Sequence, residues 1–410
     1  MKHSLLANDL ARLAIKIALS RLGIMLLSII DMTMLSYYSF ISVGVSAVAN
    51  SILQVWVVVS GSIFVGYYAR DQFSKETAGE EDVHLALPLA LALGAIAMCL
   101  SLCTALLQDD STLRTLVIIG SLGFPALFVF TLCVAQLETS GRAGTVVRIT
   151  LCSLVANSLL NLVFIKFSDS AAEAVMWATS CVRVIAMILA LFYVRKALTG
   201  GFRRFSSRWS FFLLKTGLPE AGGRALFVIL LAMIMIFSSR VLAPLEMSEV
   251  AISLMLLSVL TLSMMSVSMA AATLVNVDRK QGIWTFLNIG FVGLGCVMAV
   301  YFLCVLLYVW IVDKGSSSLL VWCGLAGLFD AVSGHLVMAL RKGGDSKFPP
   351  FIKMAMFPVF LGLCFYLEFA TANDFVFNLA VANCGAMILA AIYAGVRIEG
   401  WGKPVITPTS

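Results

Sequence analysis

Charge is what this sequence has least of. Asp, Glu, Lys and Arg make up 12% of its 410 residues, and there are three histidines and nine prolines. A soluble domain carries about 25% charged residues, and a chain that is 61% hydrophobic has more apolar surface than one core can hide. That excludes an ordinary soluble globular protein. Strand-like alternation is also lacking, which sets aside an outer-membrane barrel. None of the ten cysteines forms a CxxC or a Cys/His cluster, so they read as small residues facing lipid or core. The external loops are too short to carry a surface His, Asp or Glu constellation, which argues against an integral-membrane transferase. No catalytic residue, no cofactor and no metal are expected.

What is present is a series of long apolar runs. Twelve are centred near residues 25, 55, 96, 126, 155, 184, 228, 261, 297, 329, 359 and 385. Each is long enough to cross a hydrocarbon layer, which takes roughly 20 residues. Backbone groups in lipid must be satisfied within the segment, so these spans are expected to be helices. The opening stretch MKHSLLANDLARLAIKIALSRL is polar and mildly amphipathic. It has no small-residue cleavage site before the first long apolar run.

The basic residues give the orientation. Of 28 lysines and arginines, Arg21, Arg183 and Arg224 fall inside spans and 21 fall on one side of the chain's alternating loops. The other side holds four: Arg114, Lys166, Arg240 and Lys314. The positive-inside rule then places both termini in the cytoplasm and requires an even number of spans.

The longest basic loop, RKALTGGFRRFSSRWS (195–210), divides the chain. The expected organisation is an N-terminal lobe over 1–196 (spans 1–6), a cytoplasmic linker over 197–210 and a C-terminal lobe over 211–410 (spans 7–12). Two correspondences share an offset of 203 residues: Arg21 with Arg224, and Leu137 and Gly141 of QLETSGRAG with Leu340 and Gly344 of ALRKGGDSK. Each lobe has an even number of spans, so both enter the membrane in the same orientation. The fold class expected is an all-α integral membrane protein of twelve transmembrane helices in two pseudo-symmetric six-helix lobes. Transporters use that plan, with substrate between the repeats near the midplane.

Ionisable residues inside spans single out candidate sites, because a charge at a helix centre costs ~2.5–3.5 kcal/mol on insertion scales. Asp31 follows the apolar run LGIMLLSII, and Asp330 sits inside VWCGLAGLFDAVSGHLVMAL. Arg183 lies within the sixth span, and Arg21 and Arg224 lie in the first turns of spans one and seven. Glu220 stands one turn from Arg224, so that pair offers mutual neutralisation. Asn157 and Asn161 share a face of the fifth span at i, i+4, and Thr179 is placed to join them and Asp31. Interhelical hydrogen bonding alone accounts for such amides equally well. His335 is five residues beyond Asp330 and reads as a polar packing residue, with a proton relay as the other possibility.

Five stretches carry a resemblance to a known family. FDAVSGHLVMALRKGGDSKFP (329–349) resembles an FDA-type start followed by an ALRGxGDTxxP-type loop. IDMTMLSYYSFISVGVSAVANSI (30–52) and NSLLNLVFIKF (157–167) resemble the first-span Asp region and the fifth-span NxxLDxxFIxG-type motif. TGLPEAGGRAL and APLEMSEVAISLMLLSVL look like the starts of spans seven and eight. Together they resemble the multidrug and toxic compound extrusion (MATE) family of the MOP exporter superfamily, in register over nearly the whole chain. The resemblance implies a secondary exporter of the cell inner membrane. It would move a drug-like or secondary-metabolite substrate out of the cytoplasm by antiport with H⁺ or Na⁺. The cation-coupling positions it implies are Asp31, Asn157, Asn161 and Thr179, with Asp330 as the C-lobe carboxylate. Arg183, His335, Arg21 and Arg224 are possible cavity residues from their place in the spans alone. The implied partners are a small-molecule substrate and the lipid bilayer, without nucleic acid, in a monomer.

Several positions depart from the family pattern. Asn161 stands where a second acid is common, which leaves one carboxylate and favours H⁺ over Na⁺. Lys16 replaces a bending proline, Phe227 falls near a glutamate position, and Ser253 or Leu254 stands where glutamine is common. The nearest alternative is a lipid-linked precursor flippase of the same superfamily, which the arginines Arg21, Arg183 and Arg224 would suit.

Overall fold

The structure is a computed structural model that describes residues 27–64, 82–140, 142–195, 207–274, 280–312, 317–342, 359, 362 and 371–400. Among them every regular element is a helix. In chain order these are α1 (27–38), α2 (Phe40–Ile63), α3 (Asp82–Leu106), α4 (Ser111–Ser121), α5 (Phe124–Thr139), α6 (Ala143–Phe167), α7 (Ala171–Val194), α8 (Ser207–Val241), α9 (Pro244–Leu274), α10 (Lys280–Val312), α11 (Ser317–Lys342) and α12 (Ala372–Gly400). Ten of the twelve expected span centres fall on these helices. The first span is described from residue 27 onward, and of the span centred near 359 only residues 359 and 362 are described.

Among the described residues, seven helices contain windows long and apolar enough to cross a membrane, and the bent pair α4–α5 makes an eighth span if taken as one. That pair departs from the expectation of a continuous fourth span: the axis turns by 43° between Ser121 and Phe124. The cause is the Gly123-Phe124-Pro125 sequence, with Pro125 in the first turn of α5. Proline has no N–H to continue the ladder from the preceding turn, so the helix restarts there. A second break separates α1 from α2 at Ser39, whose extended backbone (φ −155°, ψ 89°) interrupts the helical run.

The described residues cluster into two compact units, one over 23–248 and one from Glu249 onward. In the first, α2 packs along α8, α3 against α5, and α6 against α7. Close approach of α8 to α2 depends on Gly217, where a Cβ would overlap the Ile63 carbonyl. In the second unit α11 lies along α12. Ala386, Ala390 and Ala394, spaced one turn apart on α12, are buried with Leu340. Small residues at that spacing let helix backbones approach where lipid supplies no hydrophobic driving force. The expected lobe division rests on the basic linker, and residues 196–206 lie outside the described residues.

Candidate polar site around Asp31

Three helices of the first unit converge on one carboxylate. Asp31 projects from α1 and is 5% exposed, while Asn157 and Asn161 of α6 are fully buried. Asn157 Nδ2 donates to Asp31 Oδ1 at 2.5 Å and Asn161 Nδ2 to the same oxygen at 2.7 Å. Thr179 Oγ1 of α7 donates to Oδ2 at 2.8 Å. The i, i+4 spacing on α6 makes this arrangement possible, because it stacks both amides on one face. All four residues that the sequence grouped are thereby brought together.

The cluster has unused capacity. The carbonyl oxygens of both amides, Asn157 Oδ1 and Asn161 Oδ1, are buried without a hydrogen-bond partner among the described residues. Thr179 Oγ1 also lies 3.1 Å from Val175 O of its own helix. A hydroxyl has one proton to give, so Thr179 has two alternative acceptors.

A cavity of about 100 Å³ opens beside the carboxylate, with Asp31, Asn157, Thr179 and Arg183 in its wall. Asn50 and Gln54 of α2 also line it, and the sequence reading passed over both. Their signal was there, since they are the two amides of α2 and stand at i, i+4, as Asn157 and Asn161 do on α6.

Arg183 stands one turn after Thr179 on α7. Its Nη1 donates to Gly120 O at 2.7 Å, and its guanidinium carbon lies 5.4 Å from the Phe124 ring centre. Its stem passes over Gly123, where a Cβ would come within 2.7 Å of Arg183 Cδ. Ser180 Oγ donates to Ile119 O at 2.8 Å. These two α7 side chains thus take up carbonyls released where α4 breaks. Arg183 and Asp31 attract each other electrostatically.

Two of the remaining candidates belong to α11. Asp330 is half-buried on α11, in the second unit. His335, on the same helix, is 4% exposed and sits in a packed three-helix contact. Its Nε2 donates to Phe286 O (3.2 Å), Nδ1 pairs with Ser268 Oγ (2.8 Å), and its ring stacks on Phe286 with centroids 4.4 Å apart. Gly290 supplies the room, because a Cβ there would overlap the imidazole. That is the geometry of a packing residue. Arg21 lies outside the described residues, as do the side chains of Glu220, Arg224 and Phe227.

Helices of this length and hydropathy, several of them apolar enough to cross a membrane, define a polytopic all-α membrane fold among the described residues. Solved structures specify it further: the fold is that of the MATE transporters. A eukaryotic MATE transporter, AtDTX14, matches with a TM-score of 0.65 at 14% identity, covering 97% of this chain and 98% of that one. A multidrug-resistance MATE family transporter in an outward-facing conformation matches at 0.62 and 14%, over 96% of each chain. A MOP superfamily transporter from Pyrococcus furiosus, described as having a binding pocket of reverse polarity, matches at 0.61 and 14%, again over 96% of each. At these identities the likeness is one of fold. No protein-family model matches the sequence, and no curated protein does either.

Proposed function

We propose that this chain is a proton-coupled exporter of the MATE type. It would reside in the inner membrane with both termini in the cytoplasm and move a small drug-like molecule or metabolite outward. The observation that carries the reading is the Asp31 carboxylate, held by three neutral donors from two other helices at the edge of a cavity.

The chemistry follows from donor and acceptor counting. An ionised carboxylate accepts only; a protonated one must also donate. When Asp31 takes up a proton, its new O–H needs an acceptor, and the amide oxygens of Asn157 and Asn161 lack hydrogen-bond partners among the described residues. Thr179, released from Oδ2, has Val175 O to return to. Protonation therefore re-sorts the bonds that tie α1 to α6 and α7. The break at Ser39 would serve as the hinge at which α1 shifts relative to α2. Alternating access would follow from two such packings of α1, biased by the charge on one residue. Substrate and proton compete because substrate binding favours the ionised form.

The same unpartnered amide oxygens would suit a Na⁺ ion, so the test must separate the two ions. Efflux of rhodamine 123 from energised proteoliposomes should follow an imposed pH gradient in sodium-free buffer and be lost in Asp31→Asn. Wild-type efflux in that variant, or efflux that requires Na⁺, contradicts the proposal.

A further inference from the structure

The faces of α6 and α7 turned away from Asp31 carry a pattern of their own. On α6 the exposed Leu151, Val155 and Leu159 follow one another at i, i+4, opposite the buried Asn157 and Asn161. Arg148, also exposed, continues that row one turn earlier. On α7 the exposed Val184, Ile188 and Phe192 form a similar row, and the exposed Arg195 continues it one turn later. Helical spacing keeps each row on one side of its helix. The two helices pack together and are joined by the short connection 168–170, so they run antiparallel and both arginines stand at the same end of the pair.

A third arginine joins them there. Arg142, at the corner between α5 and α6, reaches across to α7, where its Nη1 donates to Tyr193 O at 3.3 Å. The neighbouring Phe192 ring is the platform for Arg195, whose guanidinium carbon lies 4.3 Å from the ring centre. None of the three arginines is paired with a carboxylate among the described residues. The segments 136–148 and 184–195 that build this corner hold one acid, Glu138, against the three. A guanidinium offers a planar fork of donors that matches the oxygens of a phosphate.

We propose that this corner holds one anionic phospholipid of the surrounding bilayer, its phosphate among Arg142, Arg148 and Arg195 and its acyl chains along the rows on α6 and α7. Each apolar row begins one turn from an arginine, so a phosphate bound there lays its chains directly onto the rows. Arg148, in the second turn of α6, reaches the headgroup by extending its stem along the helix. On the orientation expected from the loop charges, this end faces the cytoplasmic leaflet, where basic pockets between spans meet anionic headgroups. The lipid would tie the α5–α6 corner to the end of α7. The site is separate from the cavity and does not depend on the proton-exchange reading.

Native mass spectrometry of the purified full-length protein, titrated with palmitoyl-oleoyl phosphatidylglycerol or the matching phosphatidylcholine, counts bound lipid directly. Wild type should retain one phosphatidylglycerol about tenfold more tightly than phosphatidylcholine. Each arginine near an anionic headgroup is worth about fivefold in binding. Arg142→Gln combined with Arg195→Gln should therefore weaken phosphatidylglycerol binding roughly twentyfold and leave phosphatidylcholine unchanged. Lys215→Gln, a charge removal at an exposed position of α8 on the same expected side, should leave both unchanged. Phe192→Ala removes the platform under Arg195 and keeps every charge; it should weaken binding several-fold, and it decides the matter if the double variant does not fold. Excess inorganic phosphate should not displace the lipid. Equal retention of the two lipids by wild type overturns the proposal. So does a preference that survives the arginine and Phe192 substitutions, or one that falls as far in Lys215→Gln. Displacement by inorganic phosphate would mark a soluble-anion site and overturn the lipid assignment.

Discussion

Two buried polar groups, one in each compact unit, make an instructive contrast. Around His335 every donor and acceptor of the ring is matched, the imidazole is stacked, and a glycine opposite leaves just the space it needs. Around Asp31 the bonding is incomplete. Two amide oxygens have no partner among the described residues, one hydroxyl has two alternative acceptors, and a cavity adjoins the carboxylate. A satisfied network fixes one packing, whereas a network with spare acceptors admits a second arrangement at modest cost. The difference separates a group that holds helices together from one equipped to change their contacts.

Substitutions can break that contrast at either end. The largest effect is expected at Asp31: Asp31→Asn removes the titrating group and should reduce pH-driven efflux at least tenfold, with the protein still inserted, as read in proteoliposomes. Next is Asn161→Asp, which places a second carboxylate against Asp31 Oδ1. Two carboxylates at hydrogen-bond distance do not both ionise without a cation between them. Efflux in this variant should become several-fold Na⁺-stimulated. An unchanged ion dependence would mean that residue 161 does not decide the coupling ion.

At the packed end the readout should be stability. His335→Ala and Gly290→Ala should each lower the midpoint of thermal unfolding by several degrees, from a cost of about 1–3 kcal/mol. Efflux per folded molecule should be retained. Loss of efflux at full stability would move His335 into the transport machinery. The smallest effect is expected from Gln54→Ala in the cavity wall, about a two- to threefold weakening of dye binding without a change in its pH dependence.

Much of this was legible in the sequence, for reasons that differ by feature. The helices follow from apolar length alone, because lipid leaves the backbone no other way to satisfy its bonds. Asn157 and Asn161 were legible because helical spacing puts them on one face, and Asp31 because an isolated acid in a span needs partners. Helix periodicity could not show which oxygen would be left unpaired, since that depends on how α1 is rotated against α6. The kink between α4 and α5 was written in Gly123 and Pro125. Its consequence was not: the carbonyls it releases are taken up by Ser180 and Arg183, 60 or more residues away. The packing of α8 along α2 was likewise hidden, because the glycine that permits it is one of 30 in the chain.

The central claim is that Asp31 gives up a proton as substrate binds, and proton release measures it most directly. Rhodamine 123 is added to purified protein in weakly buffered detergent solution containing a pH-indicating dye. The account predicts release of about one proton per bound molecule near the pH at which Asp31 titrates, and none from Asp31→Asn at matched occupancy. Equal proton release from both proteins would contradict it.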